Sequence, residues 1–249
     1  MITVVRLSAP MLAWPSPSKY NHRFTEPLPT RSALQGLLSA AAGIHRGYEV
    51  PEWISNAEMA VRADLPGSVL RDYHTINPPD RGRYYRLSVK DRARVRTVAK
   101  ADGTERTDPV VTERYYRQDQ TVTWFIEDPD GFAHTALASP RFTIYAGRKA
   151  CPLSFPFALG SVSGDLENAL ASVPTTAPAG AQLEAILFAP PIRLAQVRPV
   201  LSRPEKPSGR VAESYTMQPR FSVLVDPPRA ENWFDVIAQL EGGASDVAH

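Results

Sequence analysis

Between Ile2 and Leu7 apolar and β-branched side chains run almost unbroken, with Arg6 as the one charge, and the run stops short of Pro10. This pattern predicts a buried strand that opens a domain. A polar, proline-rich loop follows from Trp14 to Thr30. Beyond Pro29 the period changes. Leu34, Leu37, Leu38, Ala41 and Ile44 recur at three- and four-residue spacing, which predicts a helix with Thr30 as its N-cap. Gly36 and Gly43 fall inside it, and each costs an isolated helix about 1 kcal/mol relative to alanine. Close backbone packing or a nearby ligand is the expected reason for Gly36, and a loosened helix end the reason for Gly43.

Glu58 to Asp64 alternates as a second strand, with Met59 and Val61 opposed to Ala60 and Arg62, and Thr121 to Ile126 is the next clear strand. Between them, Asn77, Pro78, Pro79, Asp80 and Gly82 supply turn chemistry, and Asp102-Gly103 marks a hairpin between basic, alternating arms. Tyr84 to Val89 and Val95 to Ala99 are expected to form a projecting finger. A helical stretch from Phe132 to Ala138 and a strand from Phe142 to Ala146 complete the series. The fold class this predicts is α+β: a ferredoxin-like or RRM-like domain over 1–150, with a thumb hairpin inserted at about 76–112. From Cys151 onward twelve prolines punctuate the chain, leaving short elements at Asp165 to Ala171, Leu183 to Ala189 and Arg220 to Val225. Residues 151–249 therefore read as a small, loop-rich, mostly β second unit.

Composition alters this picture little. A hydrophobic fraction of 43% and a charged fraction of 22% exclude wholesale disorder and a multi-span membrane protein. A single cysteine, Cys151, cannot form an internal disulfide and is expected to pack as a small hydrophobe. The apolar start has no basic leader and no run of about 20 apolar residues occurs, so the expected location is cytoplasmic. Charge distribution is more informative than the net value of +2. From Ile76 to Arg117 eleven basic residues stand against six acidic ones, and Arg83, Arg86, Arg92, Arg94 and Arg96 lie in the finger. Beyond Arg229 the sign reverses, with Glu231, Asp235, Glu241 and Asp246 and no Lys or Arg. A positive block of this kind suits a polyanion, and is equally a solvated face.

Enzyme signatures fail in turn. Gly160-Ser161-Val162-Ser163-Gly164 has the glycines of a nucleophile elbow but valine at its centre, and the five histidines have no metal-ligand spacing. No cofactor or metal is expected. Three segments concentrate cationic, polar and aromatic residues beside turns: Pro29-Thr30-Arg31-Ser32, Leu70-Arg71-Asp72-Tyr73-His74-Thr75, and Gly147-Arg148-Lys149-Ala150-Cys151-Pro152. A helix start and a glycine-led turn each offer backbone N–H groups to phosphate, while Tyr73, Tyr115 and Tyr116 can stack on unpaired bases. Each has a plain structural reading as well. Thr30 serves as a cap, Arg71 pairs with Asp72, Tyr73 and Tyr115 fill the core, and Arg148 and Lys149 are solvated.

These segments, together with Arg6-Leu7, Ala9-Pro10-Met11 before Trp14, Gly36-Leu37-Leu38 and Arg114-Tyr115-Tyr116, resemble the CasD subunit family of type I-E CRISPR Cascade, within the RAMP superfamily. The match runs in the family's order across roughly the first 160 residues. The resemblance implies a non-catalytic subunit that grips the 5′ handle of the crRNA. It implies a thumb that lies over the guide and contacts the backbone subunit CasC, and a second surface for the large subunit CasA. Target DNA is then met only indirectly, through the complex. Carried over motif by motif, the handle pocket comprises Arg31, Ser32, Arg71, Tyr73, His74, Arg114, Tyr115, Arg148 and Lys149. The rival reading is a metal-independent endoribonuclease that processes precursor crRNA, as relatives in type I-C systems do.

Overall fold

The computed structural model describes residues 1–14, 16, 21–76, 110–188, 198–200, 204–205, 216–217 and 220–245. The first half of the chain runs β1 (Ile2–Ser8), β2 (Met11–Leu12), β3 (His22–Arg23), α1 (Arg31–Ala42), α2 (Glu52–Ser55), β4 (Met59–Leu65) and β5 (Ser68–Ile76). It continues with β6 (Val110–Gln118), β7 (Thr121–Glu127), α3 (Phe132–Ala138), β8 (Ala158–Val162), α4 (Leu166–Ser172) and β9 (Leu183–Leu187). The remaining elements are β10 (Arg198–Val200), β11 (Pro204–Glu205), β12 (Thr216–Met217), β13 (Arg220–Val225) and α5 (Trp233–Ser245).

β1 is held on both edges, by β7 with Val5 opposite Trp124 and by β8 with Ile2 opposite Val162. The result is a seven-stranded sheet in the order β10-β13-β9-β4-β7-β1-β8, with every neighbouring pair antiparallel. Strands of the two strand-helix-strand units interleave, since β7 lies between β4 and β1, and β1 between β7 and β8. Val5, Leu7, Met59, Val61 and Trp124 pack on one face with α1 and α3. Ile2, Val4, Ala60 and Phe125 pack on the other with α4 and α5. Burial on both faces explains why β1 reads as an apolar run instead of an alternating one.

α1 begins as expected, with the Thr30 side chain accepting from the Ala33 N–H, and buries Leu34, Leu37, Leu38 and Ala41. Gly43 ends it in the left-handed region at φ 79°, a C-cap favourable to glycine. Gly36 has no packing reason, because a Cβ there would meet nothing within 4 Å. Phe142 to Ala146 is not a strand. Arg141 and Phe142 give their N–H groups to the carbonyls of Ala41 and Ala40 at the end of α1, and Ala146 donates to Cys151. The strand beside β1 comes later, as β8, around the false nucleophile elbow. Nor does the sheet stop at residue 150, where a second unit was expected, because β8 and β9 pair with β1 and β4.

A polar network crosses the second face. Arg62 and Asp64 have fully buried side chains joined at 2.9 Å. Arg62 also donates to the carbonyls of Leu170 (3.0 Å), Val173 (2.7 Å) and Pro174 (3.1 Å), where α4 ends. Asp64 accepts from the hydroxyls of Thr123 and Thr175. Burial pushes the Arg62 guanidinium down, and Asp64 pulls it back toward the charged form.

At the start of α3, the buried Asp128 accepts from the N–H groups of Ala133 (3.1 Å) and His134 (2.8 Å). A cleft beside it is lined by Glu52, Trp53, Glu58, Glu127, Asp130 and Phe132. Burial and the neighbouring Glu58 raise the Glu127 carboxyl above its usual range, against a smaller pull from the N-terminal amine and with a further push from Asp165. The folded chain therefore holds this proton more tightly than the unfolded chain. The penalty is present at neutral pH and is relieved as pH falls through the raised folded value toward the ordinary carboxylate range of about 4.3. Glu127→Gln is expected to raise the melting temperature at pH 7 and to give a smaller gain at pH 5. An equal effect at both values would show that the carboxylate charge is not the cause.

Candidate nucleic-acid interface

Strands β5 and β6 were not anticipated as strands, and they build a second sheet. They pair antiparallel over nine positions, from Ser68 opposite Gln118 to Ile76 opposite Val110, while β2 and the parallel β3 line the other edge of β6. One face packs inward through Leu70 and the buried Tyr116. Because side chains alternate along a strand, Arg71, Tyr73, Glu113 and Tyr115 occupy the opposite, open face.

Glu113 organises that face. Its carboxylate accepts from Arg71 Nη2 at 2.6 Å and from the Tyr115 hydroxyl at 2.9 Å, and His22 Nδ1 stands 3.5 Å away. The bond from Arg71 and then that from Tyr115 hold the Glu113 carboxyl below the usual carboxylate range, and the same bond holds the Tyr115 phenol above its own. Phe24 lies 5.0 Å from Tyr115 and 6.2 Å from His22 between ring centroids. The Arg71 guanidinium sits 5.9 Å from the Tyr73 ring. Arg71 therefore pairs across the strands with Glu113, not along its own strand with Asp72.

The remaining candidates sit elsewhere. Asp72, His74 and Arg114 share the face of Leu70 and Tyr116, where His74 Nε2 bonds Asp72 Oδ2, with the His74 side chain 42% and the Asp72 side chain 35% exposed. Tyr116 is also on that side, so it cannot stack with Tyr73 and Tyr115 on one surface. Arg148 is half-buried rather than solvated. Its guanidinium lies 4.5 Å from the Tyr116 ring, Nη2 donates to the Arg23 carbonyl at 3.1 Å, and Nη1 is buried with no partner among the described residues. Lys149 is exposed. Gly147 meets protein closely, since a Cβ would stand 1.7 Å from the Ala13 carbonyl oxygen. Cys151 is buried, and burial pushes its thiol up.

Arg31 and Ser32 lie at the start of α1, where Arg31 reaches the carbonyls of Ala57 (3.0 Å) and Ser55 (3.4 Å) and the Ser32 hydroxyl is 3.2 Å from that of Thr30. The finger, with Arg83, Arg86, Arg92, Arg94 and Arg96, lies outside the described residues. Segment 77–109 leaves from Ile76 and returns at Val110, which face each other at the end of the β5 and β6 ladder. Three residues of the open face were missed: His22, Phe24 and Glu113. An aromatic pair two apart in the proline-rich loop was the available signal for the first two. Among the described residues no group of three or more His, Cys, Asp or Glu could hold a metal, and no helix is long and apolar enough to cross a membrane.

Comparison with known proteins agrees with these motifs. The sequence profile of the CRISPR-associated protein (Cas_Cas5) family matches residues 2–218. The CRISPR system Cascade subunit CasD of Escherichia coli (strain K12) is 30% identical over 184 residues, which cover 67% of this chain and 74% of that one. A chain of a CRISPR RNA-guided surveillance complex superposes with a TM-score of 0.67 at 24% identity, covering 96% of this chain and 99% of its own. A crystal structure of a Cas protein superposes with a TM-score of 0.63 at 22% identity, covering 93% and 100%. Sequence profile and sequence relative point the same way, and the chain belongs to the Cas5 family of CRISPR-associated proteins, with CasD among its relatives.

Proposed function

We propose that this protein is a non-catalytic crRNA-binding subunit of a type I-E Cascade surveillance complex in antiviral defence, holding the 5′ handle of the guide in the cytoplasm. The observation that carries this reading is the open face of β3, β6 and β5, where aromatic rings and Arg71 lie on the two strands that lead into the arginine-rich segment 77–109. In this reading β1, α1, β4, β7, α3 and β8 form the RRM-like core, whose strand order β4-β7-β1-β8 suits that class. Segment 77–109 serves as the thumb that lies over the guide and meets CasC, and another surface meets CasA. The chain beyond β8 is a C-terminal unit docked by sharing the sheet. Target DNA is reached only through the assembled particle.

Phosphates of the handle are neutralised by arginines and backbone N–H groups, and affinity falls steeply with salt. Arg31, Ser32, Arg71, Tyr73, His74, Arg114, Tyr115, Arg148 and Lys149 remain the candidate contacts. The two faces of the β5 and β6 ladder divide them, so a bound strand passes over the sheet instead of entering a single pocket.

Purified particles carrying Arg148→Ala are expected to bind handle RNA more weakly by about 1–3 kcal/mol, with a shallower salt dependence. Retention equal to that of the unaltered particle would remove Arg148 from the interface. Metal-independent cutting of labelled repeat RNA by the purified protein would overturn the non-catalytic assignment.

A further inference from the structure

A sheet built around an antiparallel ladder, with one face on the core, ordinarily shows water a polar face. The outer face of β3, β6 and β5 instead presents rings, with Phe24 48% and Tyr73 57% exposed. Large exposed aromatics gathered on one surface mark contact with something flat and apolar.

The rings are also held in place. His22 and Phe24 are nearly parallel, at 13°, and Phe24 meets Tyr115 at 30°. Tyr115 is fixed through its hydroxyl on Glu113, and Arg71 is fixed on the same carboxylate beside Tyr73. The one carboxylate at the centre is thereby occupied, so the face does not repel an anion. Chemistry next to the face selects the occupant. The connected segment 77–109 contains nine Lys and Arg against five Asp and Glu, which favours a polyanion over an apolar protein helix.

We infer that this face is a stacking platform for unpaired RNA bases. Phe24 with Tyr115 receives one base, Tyr73 with Arg71 receives a neighbouring base, and Glu113 is the positioning residue that sets the rings. Every base has a π face, so recognition here is tolerant of sequence, and base identity in the handle must be read elsewhere. The inference rests on the proposed role in holding guide RNA, and it names His22, Phe24 and Glu113 as parts of that site.

The test uses assembled particles loaded with guide RNA that carries 2-aminopurine at successive handle positions. Stacking is expected to quench the probe at two adjacent positions. Phe24→Leu and Tyr73→Leu, which keep apolar bulk on exposed positions, are each expected to restore fluorescence at one of them and to weaken guide binding about 5- to 100-fold. Exchanging the bases at those positions leaves affinity unchanged, and an unchanged melting temperature in both variants establishes that folding is intact.

Three results overturn the platform. In the first, guide binding depends on Arg148 but not on Phe24 or Tyr73, with the probe bright throughout, and the RNA-holding role survives. In the second, the leucine variants shed a protein subunit while the guide stays, which makes the face a protein-docking surface. In the third, the guide does not crosslink to this chain at all, and the RNA-holding role falls as well.

Discussion

Asp64→Ala is expected to remove about 3–5 kcal/mol of stability, the usual effect of breaking a fully buried ion pair from one side. The loss is not confined to the 2.9 Å contact with Arg62. The variant leaves a buried guanidinium without its counter-ion and two buried hydroxyls, those of Thr123 and Thr175, without their acceptor. Typical domains are stable by about 5–15 kcal/mol, so a large share disappears. Chemical denaturation of the purified chain measures it. Replacing both partners with apolar residues is often neutral for a buried pair, but it is expected to fail here. Arg62 also satisfies the carbonyls of Leu170, Val173 and Pro174, which an Arg62→Met, Asp64→Leu chain would leave unpaired. A doubly altered chain as stable as the original would show that these carbonyls do not depend on Arg62.

Gly147→Ala is the second large effect, and it joins stability to function. The residue sits at φ 76°, and an added Cβ would lie 1.7 Å from the Ala13 carbonyl oxygen, a backbone atom that no rotamer change can move. The left-handed conformation costs a non-glycine residue about 1–2 kcal/mol, and forced displacement in a packed region adds about 1–3 kcal/mol. The expected total is roughly 2–5 kcal/mol. Relief requires the turn to move away from Ala13, which carries Arg148 off the Tyr116 ring and away from the Arg23 carbonyl. Guide retention in assembled particles is therefore expected to fall with stability. A melting temperature within about 1 °C of the original, with retention unchanged, would show that the turn yields without consequence.

The candidate site was legible in composition and illegible in arrangement. Leu70 to Thr75 and Arg114 to Tyr116 stood out as concentrations of cations and aromatics, and as motifs shared with a family. Neither segment could be read as a strand, because polar and aromatic residues occupy both sides of the ladder. Asp72 and His74 lie on the face of Leu70, and Tyr73 lies on the other. Hydrophobic alternation therefore carries no signal there. His22 and Phe24 stand in a proline-rich loop without a strand signal, because a two-residue strand has too few positions to show a period.

Local elements whose burial follows one simple rule were determined by the sequence alone. β1, the Thr30 cap with the apolar stripe of α1, the helix at Phe132–Ala138 and the strand at Arg220–Val225 stand where periodicity and capping chemistry set them. The family was also written in the order of the motifs. Tertiary structure alone decided which strand completes the sheet beside β1, and that residues beyond 150 share that sheet. It also decided that Arg62 and Asp64 lie in the core and that Arg71 answers Glu113 across the ladder. The reason is physical. A polar side chain's role depends on partners brought from distant positions, such as the carbonyls that end α4, and a linear pattern of hydrophobicity has no means of naming them.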